Sequence, residues 1–134
     1  MRGAHFDGGG TRHVLVVDDH APTLAAISTL LDFEQPDIEV VGMARNAAGA
    51  LRLARDVAPD VVVLDLDLDG ENGLELIPTL TLNCGAAVII LTSSNDPQKR
   101  RQGFAAGARA FVSKYAPSGE LVAAILAVQP KAAE

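Results

Sequence analysis

Four groups of polar side chains follow apolar runs in this 134-residue chain, and their types suit metal and phosphate chemistry. In chain order they are Asp18-Asp19, then Asp65 with Asp67 and Asp69, then Thr92 with Ser93 and Ser94, and finally Lys114. Carboxylates that face one another repel, so they either share protons or hold a cation. Because the ligand set is all oxygen, it favours a hard cation, and we expect Mg²⁺.

A lysine and a hydroxyl near such a cation suit a phosphoryl group. Lys114 offers a point charge and Thr92 offers a hydrogen-bond donor. A carboxylate beside Mg²⁺ and a lysine can accept a phosphoryl group as an aspartyl-phosphate. The cation and the lysine would neutralise the charge that develops on the transferring oxygens.

The elements that must position these residues alternate along the chain. Apolar runs predict strands over residues 14–17, 38–43, 61–64, 86–91 and 110–112. Helical spacing predicts helices over residues 22–33, 46–57, 72–82, 97–106 and 118–128, with Pro78 disturbing the third, Asn46 capping the second and Ser118 capping the last. Strands without apolar alternation are buried on both faces, as in a parallel sheet. We therefore expect an α/β fold, a doubly wound three-layer sandwich with the flavodoxin-like strand order 2-1-3-4-5.

This strand order predicts where a ligand binds. In open parallel sheets the site lies at the carboxyl ends of the strands, where the order reverses. Here that point lies between strands one and three, which end in Asp18-Asp19 and Asp65. The carboxylates are therefore predicted to meet at the expected site.

Composition limits the classes of protein that the chain can represent. Its length, 21% charged residues and 49% hydrophobic residues are typical of one globular domain. A net charge of −6 argues against a broad nucleic-acid-binding face. Cys84 is the single cysteine, which excludes an internal disulfide and fits a cytoplasmic location. No apolar run approaches the roughly 20 residues of a membrane span, so no membrane partner is expected. We expect a flexible tail over residues 1–12, the domain over 13–129, and a tail or linker over 130–134.

Residues 13–129 resemble the receiver domain of two-component response regulators. The resemblance rests on the runs at 16–20 (Val-Val-Asp-Asp-His), 64–68 (Leu-Asp-Leu-Asp-Leu) and 107–114 (Gly-Ala-Arg-Ala-Phe-Val-Ser-Lys). The Asp-Asp-His start and the lack of a proline directly after Lys114 look most like the LuxR/NarL-type branch. Receivers of that branch precede a helix-turn-helix DNA-binding domain.

The resemblance implies the roles of the acids. Asp65 would be the phosphoacceptor. Asp18 and Asp19 would hold Mg²⁺, with Asp65 and the main-chain carbonyl of Asp67 completing the protein ligands. The protein would then be a switch that phosphorylates and dephosphorylates itself, and would not be an enzyme in the usual sense.

The resemblance also implies how the switch is read. Thr92 would hydrogen-bond one phosphoryl oxygen and Lys114 would pair with another. Phe111 would change rotamer as Thr92 moves, and the nearby surface would then change shape. The implied partners are a histidine kinase, a second copy of the chain in a weak homodimer, and DNA only through a domain absent from this chain.

Two positions depart from the family pattern. Asp69 stands where the family usually has a proline, and Tyr115-Ala116 follow Lys114 where most members have a proline. Asp67 and Ser94 occupy positions that modulate dephosphorylation in the family. The added negative charge of Asp69 leaves open a degenerate receiver that acts as a phosphorylation-independent interaction module.

Residues 65–70 also resemble two other motifs. The run Asp65-x-Asp67-x-Asp69-Gly70 opens like an EF-hand loop, but its twelfth position is Leu76 and an apolar strand precedes it. Asp67-x-Asp69-Gly70 resembles the start of haloacid-dehalogenase-type phosphatases, but no later acidic pair follows. Calcium binding and phosphatase turnover are therefore disfavoured.

Overall fold

The computed structural model describes residues 10–131 and shows a central parallel sheet of five strands. The strands of this sheet are β1 (Arg12–Val17), β2 (Ile38–Ala44), β3 (Val61–Leu64), β6 (Ala87–Thr92) and β7 (Ala110–Ser113). Two short strands, β4 (Asp67–Leu68) and β5 (Glu71–Asn72), pair antiparallel in a separate hairpin. The order β2-β1-β3-β6-β7 confirms the predicted sheet, whereas the hairpin was not predicted.

Helical segments follow the strands of the sheet. Four are α-helices: α1 (Ala21–Asp32), α2 (Ala47–Val57), α3 (Pro97–Ala106) and α4 (Ser118–Leu126). The segment between β5 and β6 is irregular, with a 3-10 turn at Gly73–Leu76 and a π-helical turn at Thr79–Asn83. Pro78 lies between them and has no N–H to donate, so a regular α-helical ladder cannot continue. The predicted disturbance at Pro78 is confirmed.

Two apolar cores lie on opposite faces of the sheet. Val14 and Val16 of β1 face α1 and α4, whereas Leu15 and Val17 face the other helical segments. Strand residues that point to both faces are buried, because helices cover each side. The predicted three-layer sandwich is confirmed.

The predicted cap is confirmed for α2 and is wrong for α4. Asn46 caps α2 as predicted, and its side chain accepts a hydrogen bond from the N–H of Gly49. Ser118 does not cap α4, because Pro117 with ψ of 141° is the residue that precedes the first turn. Helix α4 also ends at Leu126, two residues before the predicted end.

Most of the apolar side chains of α4 serve the protein's own core. Leu121, Ile125 and the following Val128 are buried, whereas Val122 and Leu126 are half-buried. The homodimer therefore stays a prediction. The predicted tail over residues 1–12 falls largely on residues 1–9, which lie outside the described residues, as do residues 132–134. Within residues 10–131 no helix has the length and apolarity needed to cross a membrane.

Candidate functional site

The buried strands β1 and β3 lie side by side and end at carboxylates. Val17 pairs with Leu64 at the end of both strands. The N–H of Asp65 donates to the carbonyl of Val17 at 2.9 Å. The parallel ladder therefore delivers Asp18 and Asp65 to the same edge of the sheet.

Three carboxylates converge at this edge. Asp18, Asp19 and Asp65 each offer an oxygen, and these oxygens lie within 4.8 Å of one another. Asp18 and Asp65 are buried, with 1% and 6% of their surface exposed, and Asp19 is partly exposed. All-oxygen donors of this charge fit a hard divalent cation such as Mg²⁺, and the exposed side of Asp19 leaves room for water ligands.

Lys114 joins two of the carboxylates. Its Nζ lies 2.7 Å from Oδ2 of Asp18 and 3.0 Å from Oδ2 of Asp65. The lysine is held at the end of β7 because its N–H donates to the carbonyl of Thr92 at 2.9 Å. One cation facing three carboxylates leaves an excess of negative charge at the site.

The pKa values of the site reflect this imbalance. Burial raises the pKa of Asp65, and the negative charge of Asp18 adds to the rise. The hydrogen bonds from Lys114 and from the N–H of Asp67 oppose the rise without cancelling it. Burial alone would lower the pKa of Lys114, but its bonds to Asp18 and Asp65 outweigh burial and raise it. Lys114 therefore stays charged at neutral pH.

Thr92 and Phe111 lie on the neighbouring strands. Thr92 is buried at the end of β6, and its Oγ1 accepts a hydrogen bond from the N–H of Ser94 at 3.3 Å. Phe111 lies on β7 beside Ile90 of β6 and is half-buried. The guanidinium of Arg100 lies 5.6 Å from the centre of the Phe111 ring and 5.2 Å from that of Phe104. The two residues with predicted switch roles therefore lie on paired strands, β6 and β7.

The hairpin after Asp65 explains the unusual Asp69. Asp69 and Gly70 have φ values of +54° and +87°, as the two central residues of a type I′ turn require. A proline here would have its φ fixed near −65°, so it could not form this turn. Asp69 is exposed at the tip of the hairpin, whereas the N–H of Asp67 lies 3.3 Å from Oδ1 of Asp65.

Sequence reasoning missed three residues around the site. Arg45 donates to the carbonyl of Asp19, and Glu71 accepts from the N–H of Ala47. Gly73 lies so close to the segment that follows β3 that a Cβ there would be 2.6 Å from the carbonyl oxygen of Asp65. An Asp-Gly pair is a hairpin signal that could have located the turn, but nothing in the sequence marks the partner of Arg45.

This sheet order, with three carboxylates and a lysine at its carboxyl edge, defines a CheY-like receiver domain. A model of the response regulator receiver domain family matches residues 14–126, and the chain belongs to that family. A solved two-component response regulator of the LuxR family from an Aurantimonas species is 34% identical, with a TM-score of 0.80 over 88% of this chain and 86% of that one. A DNA-binding response regulator of the LuxR family from Staphylococcus aureus is 25% identical, with a TM-score of 0.79 over 88% of this chain and 98% of that one.

Curated relatives point to the same branch. The transcriptional regulatory protein LiaR of Bacillus subtilis is 34% identical over 115 residues, which are 85% of this chain and 54% of LiaR. The DNA-binding transcriptional activator EvgA of Escherichia coli K12 is 32% identical over 118 residues, which are 87% of this chain and 57% of EvgA. The chain thus spans about half the length of the curated relatives that it matches, and the solved structures that it resembles include receivers of the LuxR and NarL type.

Proposed function

We propose that this receiver accepts a phosphoryl group on Asp65 from a histidine kinase, with Mg²⁺ bound at the carboxylates. The observation that carries the proposal is the position of Lys114, whose Nζ bridges Asp18 and Asp65 at 2.7 and 3.0 Å. A lysine in this position can pair with a phosphoryl oxygen while one carboxylate becomes covalently modified.

The side chains divide the chemistry among them. An oxygen of Asp65 attacks phosphorus, the new O–P bond forms, and the P–N bond to the kinase histidine breaks with the imidazole as leaving group. Burial makes the ionised carboxylate of Asp65 more basic and therefore a better nucleophile. Asp18, Asp19, Asp65 and the carbonyl of Asp67 would hold Mg²⁺, which supplies positive charge to the transferring oxygens.

The proposed switch runs from the site to the surface of β7. Thr92 hydrogen-bonds a phosphoryl oxygen, and Phe111 follows the movement of Thr92 by changing rotamer. Asp67 and Ser94 lie next to Asp65 and Thr92, and we propose that they tune the lifetime of the phosphoryl group. Asp69 would act through its charge at the tip of the hairpin.

The output is a proposal that rests on the relatives. LiaR and EvgA are transcriptional regulators about twice as long as the matched region. We propose that residues 13–129 regulate transcription through a DNA-binding domain that is not part of this chain, with residues 130–134 as the start of the connection. A weak homodimer would be one way of transmitting the signal.

The second candidate function is a degenerate receiver that binds partners without phosphorylation, and only Asp69 favours it. Its carboxylate lies at an exposed turn, outside the buried pair formed by Asp18 and Asp65. The intact carboxylates and Lys114 support the phosphoacceptor.

Intact mass measured after incubation with acetyl phosphate tests the proposal. We expect the protein to gain one phosphoryl group with Mg²⁺, and to gain none with a chelator or in Asp65→Asn. Asp56→Asn is the matched control, because it removes an exposed carboxylate from α2 and leaves the acceptor in place. A folded wild-type protein that binds Mg²⁺ and gains no phosphoryl group, even at short incubation times, would favour the degenerate receiver.

A further inference from the structure

Arg45 contacts the backbone of a residue that we place in the metal site. Its Nε and Nη2 donate to the carbonyl oxygen of Asp19 at 3.3 and 3.1 Å. Arg45 lies in the loop between β2 and α2, 26 residues from Asp19 in sequence. The contact therefore links the loop that carries Asp19 to a different loop.

The residues on either side of Asp19 are held by other hydrogen bonds, and Arg45 contacts Asp19 itself. The N–H of Asp18 is held by β2 through the carbonyl of Ala44, at 3.0 Å. The N–H of His20 is held by Oδ1 of Asp18, at 2.9 Å. The carbonyl of Asp19 lies between these two hydrogen bonds and accepts from the guanidinium of Arg45.

The loop that carries Arg45 is tied in turn to the hairpin after the acceptor. Oε1 of Glu71 accepts from the N–H of Ala47 at 2.9 Å, at the first turn of α2. Residues 45–47 therefore bridge the two halves of the candidate metal site, with Asp19 on one side and the hairpin that follows Asp65 on the other.

We infer that Arg45 is a positioning residue that holds Asp19 in place for the metal. This inference rests on the proposed function of the site. Groups that orient metal ligands from behind typically change metal affinity by about 10–100-fold when they are removed. Because Arg45 is exposed and bonds the main chain of Asp19 instead of its carboxylate, we expect the lower end of this range.

The charge of Arg45 predicts the opposite effect. A guanidinium near three carboxylates repels an incoming cation, so its removal by itself should strengthen Mg²⁺ binding. Positioning and charge therefore predict changes of opposite sign. The side chain also lines an open groove of about 410 Å³ with Asp19 and Asp69, so shortening it leaves no buried cavity.

The test is an Mg²⁺ titration followed by amide chemical shifts in ¹⁵N-labelled protein. We expect Arg45→Met to bind Mg²⁺ roughly tenfold more weakly than wild type. Arg45→Lys keeps the charge but not the guanidinium fork, so it should also bind more weakly than wild type. Arg52→Met is the matched control, because it removes an exposed arginine from α2 that has no contact with Asp19. Unchanged or tighter binding in Arg45→Met would overturn the inference.

A second readout needs no metal. In metal-free protein, the ¹⁵N heteronuclear NOE of Asp19 and His20 should fall in Arg45→Met and stay unchanged in Arg52→Met. Equal NOE values in Arg45→Met and wild type would also overturn the inference. A wild-type protein that binds no Mg²⁺ while Arg45→Met loosens the loop would contradict the proposed metal site and leave Arg45 as the anchor of the Asp19 loop.

Discussion

Buried carboxylates lie at both ends of the strands of the sheet, but their hydrogen-bond donors differ. We call the end where the strands begin the amino edge and the end where they finish the carboxyl edge. At the amino edge, Asp60 is 5% exposed and accepts from the N–H groups of His13 and Lys131, each at 2.7 Å. Nδ1 of His13 lies 3.0 Å from the same carboxylate. At the carboxyl edge, the main donor to Asp65 is Lys114, which Asp65 shares with Asp18.

The pKa values of the two buried carboxylates shift in opposite directions. Burial raises the pKa of both, but at Asp60 the hydrogen bonds from His13 and Lys131 outweigh burial and lower it. At Asp65 burial wins, and Asp18 adds to the rise. The amino edge stabilises its charge with fixed backbone donors, whereas the carboxyl edge leaves its charge partly uncompensated. Buried charge of this kind is typical of functional sites, and we expect it to lower the free energy of unfolding.

The largest effect is expected at the amino edge. Asp60→Ala leaves the partly buried N–H groups of His13 and Lys131 without their acceptor, and we expect a loss of about 2 kcal/mol in the free energy of unfolding. Urea denaturation followed by circular dichroism measures it. Phosphorylation of the folded variant should stay intact, since the two edges lie at opposite ends of the strands. A loss of phosphorylation with unchanged stability would contradict this division.

At the carboxyl edge, we expect Gly73→Ala to lower the free energy of unfolding by a smaller amount. The new Cβ would lie 2.6 Å from the carbonyl oxygen of Asp65 and 2.8 Å from Cα of Leu66, so the segment that follows β3 must shift. We expect about 1–2 kcal/mol of destabilisation together with slower phosphorylation. Gly119→Ala is the matched control, because a Cβ there meets nothing within 4 Å. Equal denaturation midpoints for the two variants would contradict the close approach.

The variant with the smallest expected effect, Asp65→Asn, should raise the free energy of unfolding instead of lowering it. Asp65→Asn removes a buried charge whose pKa is raised, so it should stabilise the protein by about 1 kcal/mol and raise Tm by roughly 4 °C. Differential scanning calorimetry measures the shift. Asp67→Asn, which changes an exposed carboxylate, should leave Tm nearly unchanged.

The pH dependence of this stabilisation follows from the direction of the shift. Because the pKa of Asp65 is higher in the folded state, the folded protein takes up the proton first as the pH falls. The cost of the ionised carboxylate is therefore fully present above the raised pKa and is relieved as the pH falls toward the ordinary value of 3.8. The advantage of Asp65→Asn should shrink over the same window. Because the pKa of Asp60 is lower in the folded state, its ionised carboxylate adds to the free energy of unfolding. This contribution should be present above pH 3.8 and be lost as the pH falls below that value. A constant advantage at all pH values would contradict the raised pKa of Asp65.

The sequence was informative wherever a pattern was long and local. Apolar runs located most strands of the sheet, although the predicted strand at 38–43 contains Glu39. The strand order followed from the alternation of strands and helices. The convergence of Asp18, Asp65 and Lys114 followed from their places at strand ends. The cap at Asn46 was also predicted, because it depends on residues only three positions apart.

Features that depend on distant partners could not be predicted. Asp60 accepts from residues 47 and 71 positions away, and Arg12 donates to the carbonyl of Val128 across 116 positions. The sequence therefore placed Arg12 in the predicted tail, whereas the structure places it at the start of β1. The hairpin at Asp69-Gly70 was missed for a different reason. Its strands are only two residues long, so no alternation could reveal them.

Helix α3 lies between Thr92 and Phe111, and it buries only Gly103 among its ten residues. By contrast, α1 buries Leu24, Ile27 and Leu31. A helix with so little buried apolar surface opens locally at a low free-energy cost, well below that of global unfolding. We expect faster amide hydrogen exchange in α3 than in α1, while the sheet stays protected. In the proposed switch, a change at Thr92 would alter how often α3 opens, and phosphorylation would be read out as a shift in a local folding equilibrium.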